Sequence, residues 1–392
     1  MKAAVLGIGR MGTAISWAMK ELGFYVIGVD SNSEGADNFR SSIEGAASFS
    51  NDLTNFSLIK DRTEWGTFYL IQEASHGTKT LEDALSFEKP DIVISSLPYH
   101  QTEEAAKWCI DNGMRYCDLG GKVDVSRSIN EYAKKKAKVP VFTDLGLAPG
   151  WVNILAEEGY RKLYGGAEIT SVEMMVGGLP DYLESNENPL RYGVTWSVDG
   201  LINEYKDDCL VLEDGKIKTV EGMSGLQDVE GESFGQMEAF CTSGGASHTL
   251  ESMRERGVKN CFYKTLRYKG HRDIVRFLIR DCGLEDEVLN RIFTRGCGYA
   301  TKDEVIVVAR VHKDNKTWNE EKVVKVDDRF SAMQRATAFP ASAVAALMAE
   351  GVFDGEKSQC RGYWDCFSKN LSYKDVPFEE FDKKLTSLFA LV

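Results

Sequence analysis

The residues best suited to chemistry near the start of the chain form a glycine-rich turn. The turn matches the pattern GxGxxG and consists of Gly7, Ile8, Gly9, Arg10, Met11 and Gly12. In such turns the first glycine permits a sharp bend, the second lets the backbone approach a diphosphate, and the third lets helix and strand pack closely. Free N–H groups at the start of the following helix attract phosphate. The turn therefore predicts a dinucleotide site, with a purely structural strand-to-helix turn as the alternative.

Asp30 lies 18 positions after Gly12, at the end of the next strand-like segment. A carboxylate there accepts hydrogen bonds from the adenosine ribose and repels a 2′-phosphate. We therefore expect NAD as the cofactor, with NADP as the alternative if Arg40 folds back to meet the extra phosphate. The other interpretation of Asp30 is a simple cap of the strand end.

Further candidates follow later strand-like segments in the first half of the chain. Because ligands bind at the carboxyl ends of strands in doubly wound sheets, these residues should meet at one edge. The expected cofactor contacts are Ser96, Leu97, Pro98 and Gly120. The expected substrate contacts are Lys122 and Asp144. Tyr99 and Asp118 are candidate catalytic bases for proton transfer.

The second half of the chain adds polar residues within apolar, strand-like segments. The candidates for a substrate wall are Arg191, Trp196, Glu238 and Arg267. Arg191 or Arg267 could hold the α-carboxylate of an amino acid, because arginine captures carboxylates through two parallel hydrogen bonds. His271 is a third candidate catalytic base. Each of these residues is equally well explained as a buried polar group with its hydrogen bonds satisfied.

The pattern along the chain predicts the elements that must position these residues. Through residue 146, short apolar strands alternate with helices, which is typical of a Rossmann-type, doubly wound parallel sheet of the α/β class. Residues 31–66 fit this rhythm less well. After residue 151 the chain becomes rich in strands, and Glu213–Gly215 is a hairpin signal. We expect a second, α+β substrate domain with a mixed or antiparallel sheet.

The composition restricts the classes of function and partner. Lys and Arg number 47 against 60 Asp and Glu, and the net charge of −13 argues against nucleic acid and anionic membranes as partners. No apolar run has membrane-spanning length, and glycines interrupt the one segment that resembles a secretion signal. Nine cysteines without a CxxC pair predict a reduced, cytoplasmic protein. Five histidines without metal-ligand spacing argue against a metal site.

Several segments together resemble the saccharopine dehydrogenase family and, more narrowly, its lysine 6-dehydrogenase branch. The most specific are "APGWVNILA" (148–156) and "TWSVDGLINEY" (195–205), and others are "SSLPY", "YCDLGG", "TLRYKGH" and "MQRATAFPASAVA". The resemblance implies a Rossmann domain over 1–122 and 330–392, with a substrate domain inserted at 123–329. It also implies a homodimer, and hydride transfer between a C–N bond of lysine or saccharopine and a nicotinamide cofactor.

One position favours lysine as the substrate. Where some saccharopine-forming members carry an arginine, this chain has Asp199, and an acid suits an amino group better than it suits additional carboxylates. We therefore expect oxidative deamination of L-lysine at the ε-amino group. The alternatives are reductive condensation of the saccharopine or carboxynorspermidine type and, from another class, a dinucleotide-sensing protein without catalysis.

Overall fold

Short runs of Val, Ile and Ala alternate with amphipathic helices in the first part of the structure, as the sequence predicts. The computed structural model describes residues 1–32, 34–44, 58–62, 64–71, 81–166, 168–182, 188–354 and 369–392. These residues form two units. The first unit comprises Met1–Gly150 and Thr337–Val392, and the second comprises Trp151–Ala336.

The strands are numbered along the whole chain. They are β1 (Lys2–Leu6), β2 (Tyr25–Asp30), β3 (Leu58–Arg62), β4 (Gly66–Ile71), β5 (Ile92–Ser95), β6 (Tyr116–Asp118), β7 (Val141–Phe142), β8 (Ser171–Pro180), β9 (Cys209–Glu213), β10 (Lys216–Val220), β11 (Gln227–Gly231), β12 (Gly235–Cys241), β13 (Asn260–Arg267), β14 (Asp303–Lys313), β15 (Lys316–Lys325) and β16 (Asn370–Leu371).

The α-helices are numbered in the same way. They are α1 (Arg10–Glu21), α2 (Glu34–Glu44), α3 (Leu81–Glu88), α4 (Tyr99–Asp111), α5 (Val123–Lys136), α6 (Trp151–Tyr164), α7 (Val198–Lys206), α8 (Thr249–Glu255), α9 (His271–Arg276), α10 (Asp286–Arg291), α11 (Ala332–Ala349) and α12 (Phe378–Ala390). Two π-helical segments (Phe277–Asp281 and Ile292–Cys297) follow α9 and α10, and a 3-10 turn (Tyr373–Asp375) precedes α12.

The sheet of the first unit has the order β16-β7-β6-β5-β1-β2-β4-β3. All neighbouring strands run parallel except β3 and β4, which pair antiparallel at one edge. The strand order reverses between β1 and β5, as it does in a doubly wound sheet. The predicted fold class of the first unit is confirmed.

Helices cover this sheet because its central strands are apolar on both faces. On one face, Val93 of β5 and Tyr116 of β6 pack in a buried cluster with Ala106 and Cys109 of α4 and Ile129 of α5. These contacts fix the positions of α4 and α5 against the strands. They therefore also fix the turns that lead from the carboxyl ends of β5 and β6 into these helices.

The sheet of the second unit is mixed, as predicted. Its main path is β10-β9-β13-β8-β14-β15, and β12 joins it on β13 while β11 pairs with β12. Only β8 and β13 run parallel to one another. The predicted hairpin joins β9 to β10 through Asp214 and Gly215, whose φ angles of +51° and +74° suit a tight two-residue turn.

The boundaries of the two units differ from the predicted domain boundaries. The prediction ends the first part of the Rossmann domain at residue 122, but β7 still pairs within the first sheet, and the unit, which includes α5, continues to Gly150. The irregular stretch at 31–66 contains α2 and the antiparallel β3 in its described part. The remainder of that stretch, residues 33, 45–57 and 63, lies outside the described residues. No helix in the described ranges combines the length and apolar character needed to cross a membrane.

Candidate functional site

The glycine turn that follows β1 has the backbone its sequence predicts. Gly7 has a φ of +81°, which glycine adopts readily, and its N–H donates to Val29 O at 2.8 Å. A Cβ on Gly12 would lie 1.8 Å from Gly7 O, so only glycine lets α1 start this close to the turn. A Cβ on Gly9 would meet no atom within 4 Å, and Gly9 is exposed. The turn therefore leaves open space at Gly9.

The end of β5 is tied to the same turn. Ser96 Oγ donates to Gly7 O at 2.6 Å, and Ser96 N–H donates to Leu6 O at 2.8 Å. Leu97 packs under the turn, because a Cβ on Gly7 would lie 3.3 Å from Leu97 Cδ2. Pro98 is the N-cap of α4. These contacts fix the crevice between β1 and β5, and doubly wound sheets hold ligands at such a reversal of strand order.

Asp30 contacts the glycine turn from the end of β2. Its Oδ2 accepts a hydrogen bond from Ile8 N–H, and its Oδ1 accepts one from Asn32 N–H at 2.8 Å. A Cβ on Gly35 would lie 2.8 Å from Asp30 Cβ, so α2 begins directly against this side chain. Asp30 thus caps the strand end and steadies the turn. Each carboxylate oxygen has a second lone pair, which a ribose hydroxyl can use.

The residues around the turn fit a dinucleotide. The N–H groups of the first helical turn have no partner within α1, and the space at Gly9 lies beside them. A diphosphate suits this position because the helix start carries partial positive charge. Arg10 is exposed and Met11 half-buried in that first turn. The turn and Asp30 together supply the two kinds of contact that the sequence predicts for a cofactor.

Asp118 ends β6 and is buried, with 2% of its surface exposed. Its Oδ1 accepts hydrogen bonds from Gly120 N–H at 2.9 Å and from Asp144 N–H at 3.2 Å. Burial and, secondly, the carboxylate of Asp144 raise the pKa of Asp118 to about 7. Because the carboxyl is enclosed and holds two backbone groups, this geometry favours a positioning role over direct proton transfer with a substrate.

Two further buried oxygens lie beside Asp118 and were not singled out from the sequence. Ser95 is the register partner of Asp118 on β5, and Tyr116 precedes Asp118 by two residues on the same face of β6. Within the described part of the chain, Ser95 Oγ, Tyr116 Oη and Asp118 Oδ2 are buried without a hydrogen-bond partner. Residues two apart on a strand face the same side of the sheet, so the spacing of Tyr116 and Asp118 could have indicated from the sequence that their side chains lie together.

Tyr99 and Lys122 are exposed polar side chains at this edge of the sheet. Tyr99 begins α4 and is 50% exposed, and Lys122 Nζ lies 5.5 Å from the centre of its ring. Gly120, with a φ of +78°, keeps the intervening turn close to Asp144, since a Cβ there would lie 2.6 Å from Asp144 Oδ1. The same oxygen accepts a hydrogen bond from Ser126 Oγ at 2.5 Å. Asp144 is therefore engaged within the unit, whereas Tyr99 and Lys122 face solvent.

A hydrogen-bonded chain in the second unit contains two of the predicted residues. Arg267 Nε donates to Tyr205 Oη at 2.7 Å, Tyr205 Oη bonds His271 Nε2 at 3.0 Å, and His271 Nδ1 bonds Leu190 O at 2.7 Å. Because a carbonyl only accepts, Nδ1 carries the proton and Nε2 accepts from the tyrosine. Burial and the charge of Arg267 lower the pKa of His271 to about 3. His271 is thus neutral with both nitrogens engaged; these contacts support Tyr205, and the expected role of His271 as a base stays a prediction that they do not favour.

Glu238 and Trp196 are engaged within the second unit as well. Glu238 accepts hydrogen bonds from Gly270 N–H at 2.9 Å and Arg272 N–H at 2.7 Å, which fixes the start of α9. Burial raises the pKa of this carboxyl. Trp196 is half-buried against the backbone of Gly200, where a Cβ would lie 2.6 Å from its ring. Both side chains are therefore engaged within the unit, and the substrate contacts expected of them from the sequence stay predictions.

Arg191 and Asp199 lie on the surface of the second unit. Arg191 Nη1 donates to Lys269 O at 3.2 Å, and Asp199 accepts a hydrogen bond from Asn290 Nδ2 at 2.7 Å. Both side chains are exposed. Asp199 lies in the first turn of α7 with an amide as its partner, and its expected contact with a substrate amino group stays a prediction.

In the described ranges, no three His, Cys, Asp or Glu side chains form a group that could hold a metal ion. The cysteines there are free, and five of them are buried: Cys109, Cys117, Cys209, Cys241 and Cys261.

The fold and the turn after β1 define a Rossmann-type α/β protein with a second, mixed-sheet unit. Residues 146–371 match the family model of the saccharopine dehydrogenase C-terminal domain, which is more than half of the chain. The chain belongs to the saccharopine dehydrogenase family. This confirms the predicted resemblance to the family, while the narrower resemblance to the lysine 6-dehydrogenase branch stays a prediction.

Individual relatives agree with this assignment. Mitochondrial alpha-aminoadipic semialdehyde synthase from Rattus norvegicus is 35% identical over 136 residues, which are 34% of this chain and 14% of that protein. The NADP(+), L-glutamate-forming saccharopine dehydrogenase of Saccharomyces cerevisiae is 26% identical over 210 residues, 52% of this chain and 46% of that protein. The chain therefore spans less than half the length of either curated relative.

Solved structures show the same fold. The apo structure of the L-Glu-forming saccharopine dehydrogenase from Saccharomyces cerevisiae superimposes with a TM-score of 0.66. The superposition covers 98% of this chain and 96% of that one at 16% sequence identity. At this identity the likeness concerns the fold alone, and it confirms the α/β class with its additional mixed sheet.

Proposed function

We propose that the chain is an NAD(P)-dependent oxidoreductase that acts on the C–N bond of an amino acid, with L-lysine as the first substrate to test. The observation that carries the proposal is the glycine turn after β1, open at Gly9 and joined to Asp30, in a chain of the saccharopine dehydrogenase family. A dehydrogenase needs a place for a dinucleotide, and this turn supplies one.

The cofactor contacts come from the first unit. The turn holds the diphosphate through backbone N–H groups, Asp30 accepts hydrogen bonds from the ribose hydroxyls, and Ser96 fixes the crevice through its bond to Gly7 O. When bound, the nicotinamide supplies the acceptor for a hydride. The charge of Asp30 favours NAD over NADP, and Arg40 Nη1 pairs with Asp37 at 3.1 Å, within its own helix.

The group for proton transfer at the substrate nitrogen comes from the exposed edge of the same sheet. An ammonium must lose a proton before its carbon can be oxidised, so a group with solvent access is needed. Tyr99 provides a hydroxyl there, and Lys122 lies over its ring. The buried Asp118 accepts a hydrogen bond from Gly120 N–H and so fixes the turn that carries Lys122. Tyr99 is the group we assign to proton transfer, and Asp118 is a positioning residue.

A reductive reaction of the saccharopine type is the second candidate. It is favoured by the names of the curated relatives, which include saccharopine dehydrogenases. A homodimer in a reduced, cytoplasmic compartment is part of the same proposal and rests on the sequence interpretation.

The test follows nicotinamide absorbance in parallel reactions. The purified chain receives NAD or NADP with L-lysine or saccharopine, and separately NADH or NADPH with an aldehyde and an amino acid. Reduction of NAD by L-lysine alone would support deamination, and turnover only with saccharopine or with both condensing partners would support the second candidate. Absence of turnover in every combination, with the protein folded, would contradict both.

The role of Tyr99 is tested on whichever reaction is found. We expect Tyr99→Phe to lower kcat about 100-fold, within the usual range for loss of a general acid–base group, while cofactor affinity is retained. His100→Gln is the matched control, because His100 is the exposed neighbour of Tyr99 on α4. A kcat within a factor of about two in Tyr99→Phe would remove this residue from the mechanism.

A further inference from the structure

Arg267 carries a buried positive charge that hydrogen-bonds no carboxylate within the described part of the chain; Glu204 attracts it electrostatically without a hydrogen bond. The side chain lies at the end of β13 with 2% of its surface exposed. Its two hydrogen bonds go to neutral oxygens, Tyr205 Oη at 2.7 Å and Leu266 O at 2.8 Å. Since a guanidinium remains charged under all ordinary conditions, a buried one is expected to have an anionic partner.

Neighbouring side chains hold this guanidinium in one orientation. The ring of Tyr192 lies 4.9 Å from the guanidinium carbon, and that of Tyr205 lies 5.6 Å from it. Tyr205 is in turn fixed by neutral His271, which is anchored on Leu190 O. Nε and Nη1 of Arg267 each donate a hydrogen bond within the protein, and the N–H groups of its Nη2 remain to donate to a ligand.

Two buried hydroxyl groups belong to the same region. Tyr192 Oη and Thr195 Oγ1 are buried next to each other, and neither makes a hydrogen bond of normal geometry among the described residues. Thr195 lies close to Gly178 of β8, because a Cβ on Gly178 would be 3.1 Å from Thr195 Oγ1. The parallel register pairs Thr265 with Val176, which places Arg267 beside Gly178 two residues further on. A cation and these two hydroxyls therefore lie around one point of the sheet.

We propose that Arg267, Tyr192 and Thr195 form a carboxylate-binding site that recognises the α-amino-acid head group of the substrate. The proposal rests on the proposed function for the identity of the ligand. Its chemistry is that of a planar anion that accepts from a guanidinium edge and from hydroxyl groups. The site explains why an arginine is buried here beside unsatisfied donors.

The nearby carboxylate of Glu204 favours a zwitterion over a dianion such as phosphate. Glu204 Oε1 accepts hydrogen bonds from Thr242 Oγ1 at 2.8 Å and Thr265 Oγ1 at 2.6 Å, on the same face of the sheet as Arg267. A ligand with two negative charges would be repelled by this group. An amino acid carries an ammonium beside its carboxylate, so its net charge suits the site.

The experiment measures ligand binding without turnover. Thermal unfolding of the full chain is followed with L-lysine, saccharopine, L-norleucine and cadaverine, which lacks the carboxylate. We expect at least one of the three amino acids to raise the Tm and cadaverine to leave it unchanged, because ligand binding to the folded state stabilises it. Equal stabilisation by L-lysine and cadaverine, or no stabilisation by any amino acid, would overturn the proposal.

The variant Tyr192→Phe/Thr195→Val removes the hydroxyls and keeps the shape of both side chains. We expect its apparent affinity for the stabilising amino acid to fall about 10- to 100-fold, as for the loss of hydrogen bonds to a charged group. Tyr164→Phe, an exposed tyrosine of α6 in the same unit, is the matched control. Arg267→Lys is a second variant, and the hydroxyl variant decides the matter where Arg267→Lys does not fold.

The outcomes separate this proposal from the proposed function. Amino-acid binding that depends on Tyr192 and Thr195, without any reduction of NAD or NADP, would contradict the dehydrogenase activity and retain the site. Turnover of an amino acid with an unchanged KM in the hydroxyl variant would retain the activity and overturn the site.

Discussion

The carboxylate of Asp30 accepts a hydrogen bond from the backbone N–H of Ile8, across the gap between β2 and the glycine turn. The contact links the two elements that a dinucleotide needs, the phosphate-binding turn and the ribose acceptor. It also means that Asp30 has a structural role before any cofactor is bound. Substitutions at Asp30 therefore have to separate loss of charge from loss of this contact.

Asp30→Asn should weaken the preference for NADH over NADPH. The amide keeps one oxygen acceptor for a backbone N–H but loses the charge that repels a 2′-phosphate. We expect the ratio of the two dissociation constants, measured by nicotinamide fluorescence, to move about tenfold toward NADPH. Glu34→Gln removes an exposed acid from the start of α2 and should leave the ratio unchanged. An unchanged ratio in Asp30→Asn would show that Asp30 only caps the strand.

Gly9→Ala and Gly12→Ala should differ in what they damage. A Cβ on Gly9 meets no atom within 4 Å, so the protein should fold with an unchanged Tm and bind NADH at least tenfold more weakly. A Cβ on Gly12 would lie 1.8 Å from Gly7 O, so this variant should lose stability as well. Calorimetric unfolding and NADH titration of both variants check this. Full NADH affinity in Gly9→Ala would place the diphosphate elsewhere.

Asp118→Asn should gain stability relative to the wild type as the pH rises. The pKa of Asp118 is raised from 3.8 to about 7 by folding, so the folded state retains a proton that the unfolded chain releases in this range. Wild-type stability is therefore lost between about pH 4 and pH 7 through this group, at about 1.4 kcal/mol per pH unit. The variant has no such dependence, and the difference should grow by about 2 kcal/mol between about pH 5 and pH 8.

Urea unfolding at both pH values measures this effect, with Asp124→Asn, an exposed acid at the start of α5, as the control. Turnover of Asp118→Asn should stay within about threefold of the wild type, since the amide oxygen still accepts from Gly120 and Asp144. A loss of about 100-fold at unchanged cofactor affinity would instead make Asp118 the general base.

His271→Phe should destabilise the second unit. The change leaves Leu190 O without a donor and Tyr205 Oη without its acceptor, and each unsatisfied buried group costs about 1–3 kcal/mol. Urea unfolding should show the loss at pH values well above 3, because His271 acts as a neutral residue. The exposed His100→Gln is the control. A stability within about 0.5 kcal/mol of the wild type would contradict the described network.

Features that depend on neighbouring residues in the sequence were predicted well. The glycine turn, the alternation of strands and helices, and the hairpin at Asp214–Gly215 each follow from local backbone preferences and apolar spacing. The position of Asp118 at a strand end followed from the same pattern. Its burial did not, because that depends on the packing of β5, β7 and α5 around it.

The roles of polar residues in the second unit could not be read from the sequence. His271 bonds Leu190, which lies 81 positions earlier, and Arg267 bonds Tyr205, 62 positions earlier. Such partners are brought together only by the folded sheet and its helices. Asp199 shows the same difficulty, because its motif gives no sign that its side chain bonds Asn290, which lies 91 positions later.

Direct titration of the purified chain with NADH tests the central claim, that the turn after β1 is a dinucleotide site. Nicotinamide fluorescence should report one binding site per chain with a micromolar dissociation constant, weakened at least tenfold in Gly9→Ala. Absence of binding by folded wild-type protein to NADH and to NADPH at millimolar concentration would contradict the account.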